Sequence, residues 1–73
     1  MATEVRSPLL GKIVRLLVKP GDSVEADEPI LIMQALKMEV SVVSPVDGKL
    51  KEFRVKEGQE VESDVVLAVV EEQ

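Results

Sequence analysis

Histidine, cysteine and tyrosine are absent from this 73-residue chain. A serine nucleophile needs a positioned base to take its proton. Ser7, Ser23, Ser41, Ser44 and Ser63 have no histidine to serve them, and spacing alone does not define a Ser–Lys pair. Adjacent acids such as Asp27 and Glu28 have the chemistry for a cation or for proton transfer, but they lie in charge-mixed turn stretches and read as solvated loop acids. A Cys-based zinc site is excluded by composition. These residue types argue against a stand-alone enzyme and leave no catalytic residue or metal site to assign. What remains is the lysines, and Lys37 stands apart from the others.

An internal repeat sets it apart. Residues 7–35 and 44–72 align without a gap at a spacing of 37, with ten identities in 29 positions. Ser7, Pro8, Gly11, Lys12 and Gly21 recur as Ser44, Pro45, Gly48, Lys49 and Gly58. Val18, Lys19, Val24, Glu25 and Asp27 recur as Val55, Lys56, Val61, Glu62 and Asp64. A fixed period means that one supersecondary unit is used twice. Between the copies lies Leu36-Lys37-Met38-Glu39-Val40-Ser41-Val42-Val43, and Lys37 has no counterpart in either copy. Lys12, Lys19, Lys49, Lys51 and Lys56 read as ordinary solvated lysines.

Residues 1–73 make a single domain, near the lower size limit for folding on a hydrophobic core alone. Hydrophobic residues are 45% of the chain and almost all aliphatic, with Phe53 the one aromatic. The net charge is −5, with both signs interspersed. Nucleic-acid and anionic-membrane partners want clustered Lys and Arg, so neither is expected. Met1–Arg6 is polar and carries Glu4, unlike a signal peptide, and no apolar run approaches the ~20 residues that span a bilayer. The expectation is a soluble, cytoplasmic protein.

Each copy opens with Ser-Pro-x-x-Gly, which reads as a turn because proline sets φ and glycine admits positive φ. An apolar-rich run follows, Lys12–Val18 or Lys49–Val55, then a turn at Gly21 or Gly58. A short piece, Ser23–Glu25 in the first copy, an acidic loop and a final run, Ile30–Met33 or Leu67–Val70, complete the unit. Short strands punctuated by Gly and Pro predict an all-β sandwich or barrel. Two half-exposed apolar faces bury each other best in quasi-two-fold symmetry, as a flattened antiparallel barrel of two small sheets with the copies interleaved.

Positions apolar in both copies are the predicted core: Leu9/Val46, Ile13/Leu50, Leu16/Phe53, Val18/Val55, Val24/Val61, Ile30/Leu67 and Ile32/Val69. At Val14/Lys51 and Leu17/Arg54 one copy is charged, so each position must face outward at least once. The odd step from Ile13 to Leu16 breaks strict alternation and predicts a β-bulge or bend.

The strand Ile30–Ala35 and the run Met38–Val43 are separated by Leu36 and Lys37 alone, a two-residue hairpin loop. Such loops favour primed turns with positive φ, hence Asn-Gly or Asp-Gly. Leu-Lys is poor chemistry there, costing on the order of 1–3 kcal/mol if both residues are forced into it. A local rule broken once in a consistent sequence points to function.

Residues Met33-Gln34-Ala35-Leu36-Lys37-Met38-Glu39 resemble the attachment site of biotin carboxyl carrier proteins, whose motif is Ala-Met-Lys-Met with the lysine biotinylated. Pro8-Leu9-Leu10-Gly11-Lys12-Ile13 and Val18-Lys19-Pro20-Gly21-Asp22-Ser23-Val24 are similar to that family's turn signatures. Ser44-Pro45-Val46-Asp47-Gly48 and Val55-Lys56-Glu57-Gly58 are similar to its second half. The resemblance runs from about Val5 to Val70. Leu36 departs from it, standing where the family usually has Met, but its volume and polarity are similar. Lipoyl domains share the fold and are the nearest alternative. Their modified lysine usually follows Asp and precedes a small residue, which favours biotin here. An unmodified interaction module of the same fold is a third reading.

The resemblance implies covalent biotin, joined by an amide to Lys37 through a biotin protein ligase. It implies Leu36 and Met38 as flanking recognition residues, with Ala35 and Glu39 beside them. Met33, opposite Val70 in the repeat, divides between core gap-filler and recognition. A free lysine amine has pKa ~10.4 and is mostly charged at neutral pH, so the ligase must deprotonate it and activate the acid as an adenylate. The expected function is a carrier that shuttles carboxybiotin between biotin carboxylase and carboxyltransferase sites. The gapless repeat leaves no room for the extra "thumb" loop that some bacterial carriers insert.

Overall fold

The computed structural model describes residues 1–72, in which every regular element is a β-strand. They are β1 (Ala2–Arg6), β2 (Gly11–Leu16), β3 (Ser23–Val24), β4 (Pro29–Ala35), β5 (Met38–Val43), β6 (Gly48–Phe53), β7 (Glu60–Val61) and β8 (Val66–Glu72). Adding 37 to β2, β3 and β4 gives β6, β7 and β8 residue for residue, and adding it to β1 gives 39–43, within β5. Two antiparallel four-stranded sheets result, ordered β1-β8-β6-β3 and β5-β4-β2-β7. Exchanging the copies converts one sheet into the other, and each sheet takes two strands from each half. That is the interleaved, quasi-two-fold all-β architecture expected from the repeat.

Symmetry extends further than the sequence identities do. Met1–Arg6 reads as a polar lead-in, yet it forms β1, paired with β8 from Ala2↔Glu71 to Arg6↔Val66. Its equivalent is β5, in the segment between the aligned copies. Val5 and Val42, 37 residues apart, are both buried. Both were missed as core because each lies outside the stretch of visible identity.

Bulges explain the other differences in the core. Pairing of β2 with β4 shifts register between Ile13 and Arg15, and pairing of β6 with β8 shifts between Leu50 and Glu52. This is the predicted bulge, present in both halves, and it turns Val14 and Lys51 outward. A second pair of shifts, at Pro29/Leu31 and opposite Val66/Ala68, lets consecutive residues face inward. Ile30 and Leu31 are therefore both buried, as are Leu67 and Ala68. Leu9, Val46, Leu16, Phe53, Val18 and Ile32 are half-buried rather than enclosed. Met33 and Val70 are fully buried, so Met33 is a core residue.

Gly11 and Gly48 are not turn glycines. Neither has positive φ; each lies where β2 or β6 passes close to its neighbour. A Cβ on Gly11 would sit 2.5 Å from the Gln34 carbonyl oxygen, and one on Gly48 would collide with that of Glu71. Gly21 and Gly58 carry the turns, at φ 96° and 88°. Their N–H groups donate to Leu50 O and Ile13 O, 2.7 Å each, tying each half to the other. The connections 17–22 and 54–59 are equal in length, so no thumb is inserted.

Candidate functional site

Ala35 pairs with Met38 at the end of the β4–β5 ladder, leaving Leu36 and Lys37 as the two-residue loop. Their φ values are 52° and 65°. Positive φ at both central residues marks the primed turn that matches strand twist, so the unfavourable geometry anticipated for Leu-Lys is adopted. At the other end of the hairpin, Pro29 pairs with Val43. Ser44–Gly48 continue from there to Glu72, which pairs with Gly48 and bonds Met1 O through its own N–H at 2.7 Å. Lys37 thus projects from the end of the domain opposite Met1 and Glu72.

The tip presents one amine between two apolar side chains. Leu36 is 88% and Met38 67% exposed. Lys37 is exposed too, and among the described residues its amine has no ion-pair or hydrogen-bond partner. Glu39 is exposed across from Gln34. Ala35 differs from its neighbours: it is buried, with its Cβ against the space beside Gly11. Its small size answers the close approach of β2, whereas Leu36, Lys37, Met38 and Glu39 all meet solvent. β4, which leads into the tip, is paired on both sides, with β2 and with β5.

An open groove of ≈ 710 Å³ runs beside the tip. Leu10, Ala35, Leu36 and Val61 give it an apolar floor, and Lys12, Gln34, Glu60 and Glu62 give it a polar rim. Leu10 lies in the first Ser-Pro-x-x-Gly segment and Val61 on β7, so two segments distant in sequence meet beside Lys37. Sequence reasoning did not place either residue at the site. The available signal was the comparison of Leu10 with Asp47, an apolar residue where its repeat partner is charged.

Two of the five serines have structural roles. The Ser7 and Ser44 hydroxyls donate to Leu9 O and Val46 O at 2.6 and 2.7 Å, bracing their turns from buried positions. Asp27 and Asp64 hold equivalent left-handed positions, φ 69° and 68°, in the acidic loops. Among the described residues no group of three or more His, Cys, Asp or Glu side chains is placed to hold a metal ion.

A primary amine on an exposed hairpin tip, free of competing partners among the described residues, has the chemistry for acylation. Comparison with known proteins identifies the family. Residues 3–70 match the biotin/lipoyl family model described as "Biotin-requiring enzyme". The methylmalonyl-CoA carboxyltransferase 1.3S subunit of Propionibacterium freudenreichii subsp. shermanii is 44% identical over 36 residues, 49% of this chain and 29% of that one. A biotin carboxyl carrier protein of Streptococcus mutans is 38% identical over 42 residues, 58% of this chain and 32% of that one. These alignments span about a third or less of either relative. In the crystal structure of Kluyveromyces lactis urea carboxylase, 6% of the chain superposes on 96% of this one, with TM-score 0.92 and 30% identity. The chain belongs to the biotin/lipoyl family of biotin-requiring enzymes, as a biotinyl domain.

Proposed function

We propose that Lys37 is the covalent attachment point of biotin and that the domain carries it between a biotin carboxylase site and a carboxyltransferase site. The position of the amine supports this reading: it is the second residue of a strained two-residue loop, flanked by exposed Leu36 and Met38. Strain of this kind survives where surrounding structure over-determines it, and here the ladders on both sides of β4 do so.

A biotin protein ligase is the proposed partner for loading. The deprotonated Nζ of Lys37 attacks the acyl carbon of biotinyl-adenylate, the C–N bond forms, and AMP leaves with the electrons of the C–O bond. The nitrogen loses its remaining surplus proton to solvent. Bound biotin supplies a nitrogen that carries an activated carboxyl group. The chain's own contribution is presentation: Lys37 extends away from the body, and Leu36 and Met38 offer partners an apolar handle on either side. Tethering keeps the local cofactor concentration at ~mM without tight docking. A net charge of −5 spread over mixed signs suits a surface that must leave each partner.

Co-expression with a biotin ligase followed by intact-mass measurement and peptide mapping tests this. One added biotinyl group on Lys37, with streptavidin capture, is the expected result. Capture separates biotin from lipoate. Lys37→Arg should retain the fold and lose capture; biotin on another lysine of that variant would defeat the assignment.

A further inference from the structure

Leu10 and Asp47 hold the same place in the two halves and do different things. Asp47 Oδ1 accepts a hydrogen bond from Ala26 N at 2.7 Å, closing its loop onto the loop that follows β3. The matching donor in the other half is Ser63 N, and Leu10 has no acceptor to offer it. Leu10 is instead 67% exposed. The second half shows that an acid at this position serves the fold. An exposed leucine therefore does something for the surface beside Lys37 that the equivalent surface, at the far end of the domain, does not need.

We propose that the groove floored by Leu10 and Val61 is a resting site for the biotin arm of Lys37. This rests on the reading of Lys37 as biotinylated. Biotin combines an apolar chain of four methylenes and a thioether ring with a ureido group that has two N–H donors and one carbonyl acceptor. The groove matches it in kind: exposed Leu10 and Leu36 offer apolar contact above a floor that the buried Ala35 and Val61 close, Glu60 and Glu62 carry hydrogen-bond acceptors, and Lys12 carries donors. Amide formation removes the charge of Lys37, and the arm itself is neutral, so docking places no unpaired charge on the apolar floor. Because the groove is open to solvent, the docked arm remains half-exposed and is released readily. A carrier requires that of its resting state.

Methyl-labelled Leu/Val protein, with and without biotin on Lys37 as established by intact mass, provides the test by NMR. Cross-relaxation between biotin protons and the Leu10 and Val61 methyls is expected, with shift changes at both residues on biotinylation. Leu10→Asp, which copies the other half and should cap Ser63 N, is expected to melt no lower than wild type and to release the arm. If the docked state holds half the population, streptavidin capture becomes about twofold faster in that variant. Spectral changes confined to 36–38, or equal capture rates, would overturn the groove while leaving attachment at Lys37 intact. Leu10 shifts that arise only after a carboxylase subunit is added would also overturn it, assigning the groove to protein docking. Absence of added mass would remove both readings together.

Discussion

Leu36 and Lys37 are adjacent and both left-handed, at φ 52° and 65°, in a loop where glycine or asparagine is the favoured chemistry. The other non-glycine residues with positive φ, Asp27 and Asp64, are isolated and of a type that tolerates it. Strain is concentrated where the Lys37 amine is displayed between exposed Leu36 and Met38.

Leu36→Asn should therefore stabilise the domain, by about 1 kcal/mol if a third to a half of the local strain is relieved. Chemical denaturation of the unmodified protein measures it. The same variant should be a poorer substrate for the ligase, because the apolar side chain at the tip is lost.

Leu36→Met should leave loading nearly unchanged. Volume and polarity are similar, so the biotinylation rate should move by less than about threefold, ~0.7 kcal/mol on the transition-state scale. Methionine adapts to different surfaces better than leucine, so any larger change belongs in turnover with the carboxylase or transferase. A tenfold gain in loading with unaltered carboxyl transfer would reverse that division of roles.

Gly21→Val and Gly58→Val should destabilise to a similar extent, each by about 1–2 kcal/mol or more. Space is open at both positions, so the penalty is conformational: a β-branched residue is placed at φ near 90°. Matched denaturation midpoints for the two variants would show that the turns are energetically as well as geometrically equivalent.

Gly11→Ala and Gly48→Ala should be worse than alanine at either turn glycine, by about 1–3 kcal/mol of overpacking. In both, the added methyl meets a backbone carbonyl rather than a side chain that can move. Gly11→Ala also displaces Met33 and Ala35 beneath the hairpin tip, so loading of Lys37 should fall with stability in that variant alone.

Much of this was legible in the chain itself. The 37-residue period carried the two-fold architecture, because a unit that cannot bury its own apolar face must bury it against its copy. The odd step from Ile13 to Leu16 carried the bulge, which is a local disturbance of alternation. The terminal strand Ala2–Arg6 was not legible: its side chains are mostly polar, and Val5 alone among them is buried. The Ser-Pro-x-x-Gly glycines were misread for a related reason. A glycine required by an approaching backbone has the same local signature as one required by a turn.

The site divides along the same line. The sequence by itself determined that Lys37 sits at a two-residue hairpin tip between Leu36 and Met38, because loop length and turn type follow from neighbours along the chain. Only the tertiary structure decided that Ala35 is a buried spacer and that Leu10 and Val61 stand beside the lysine. Those placements depend on the pairing of β2 with both β4 and β7, contacts between segments tens of residues apart. Their register is set by how the two halves bury one another, which no local pattern encodes.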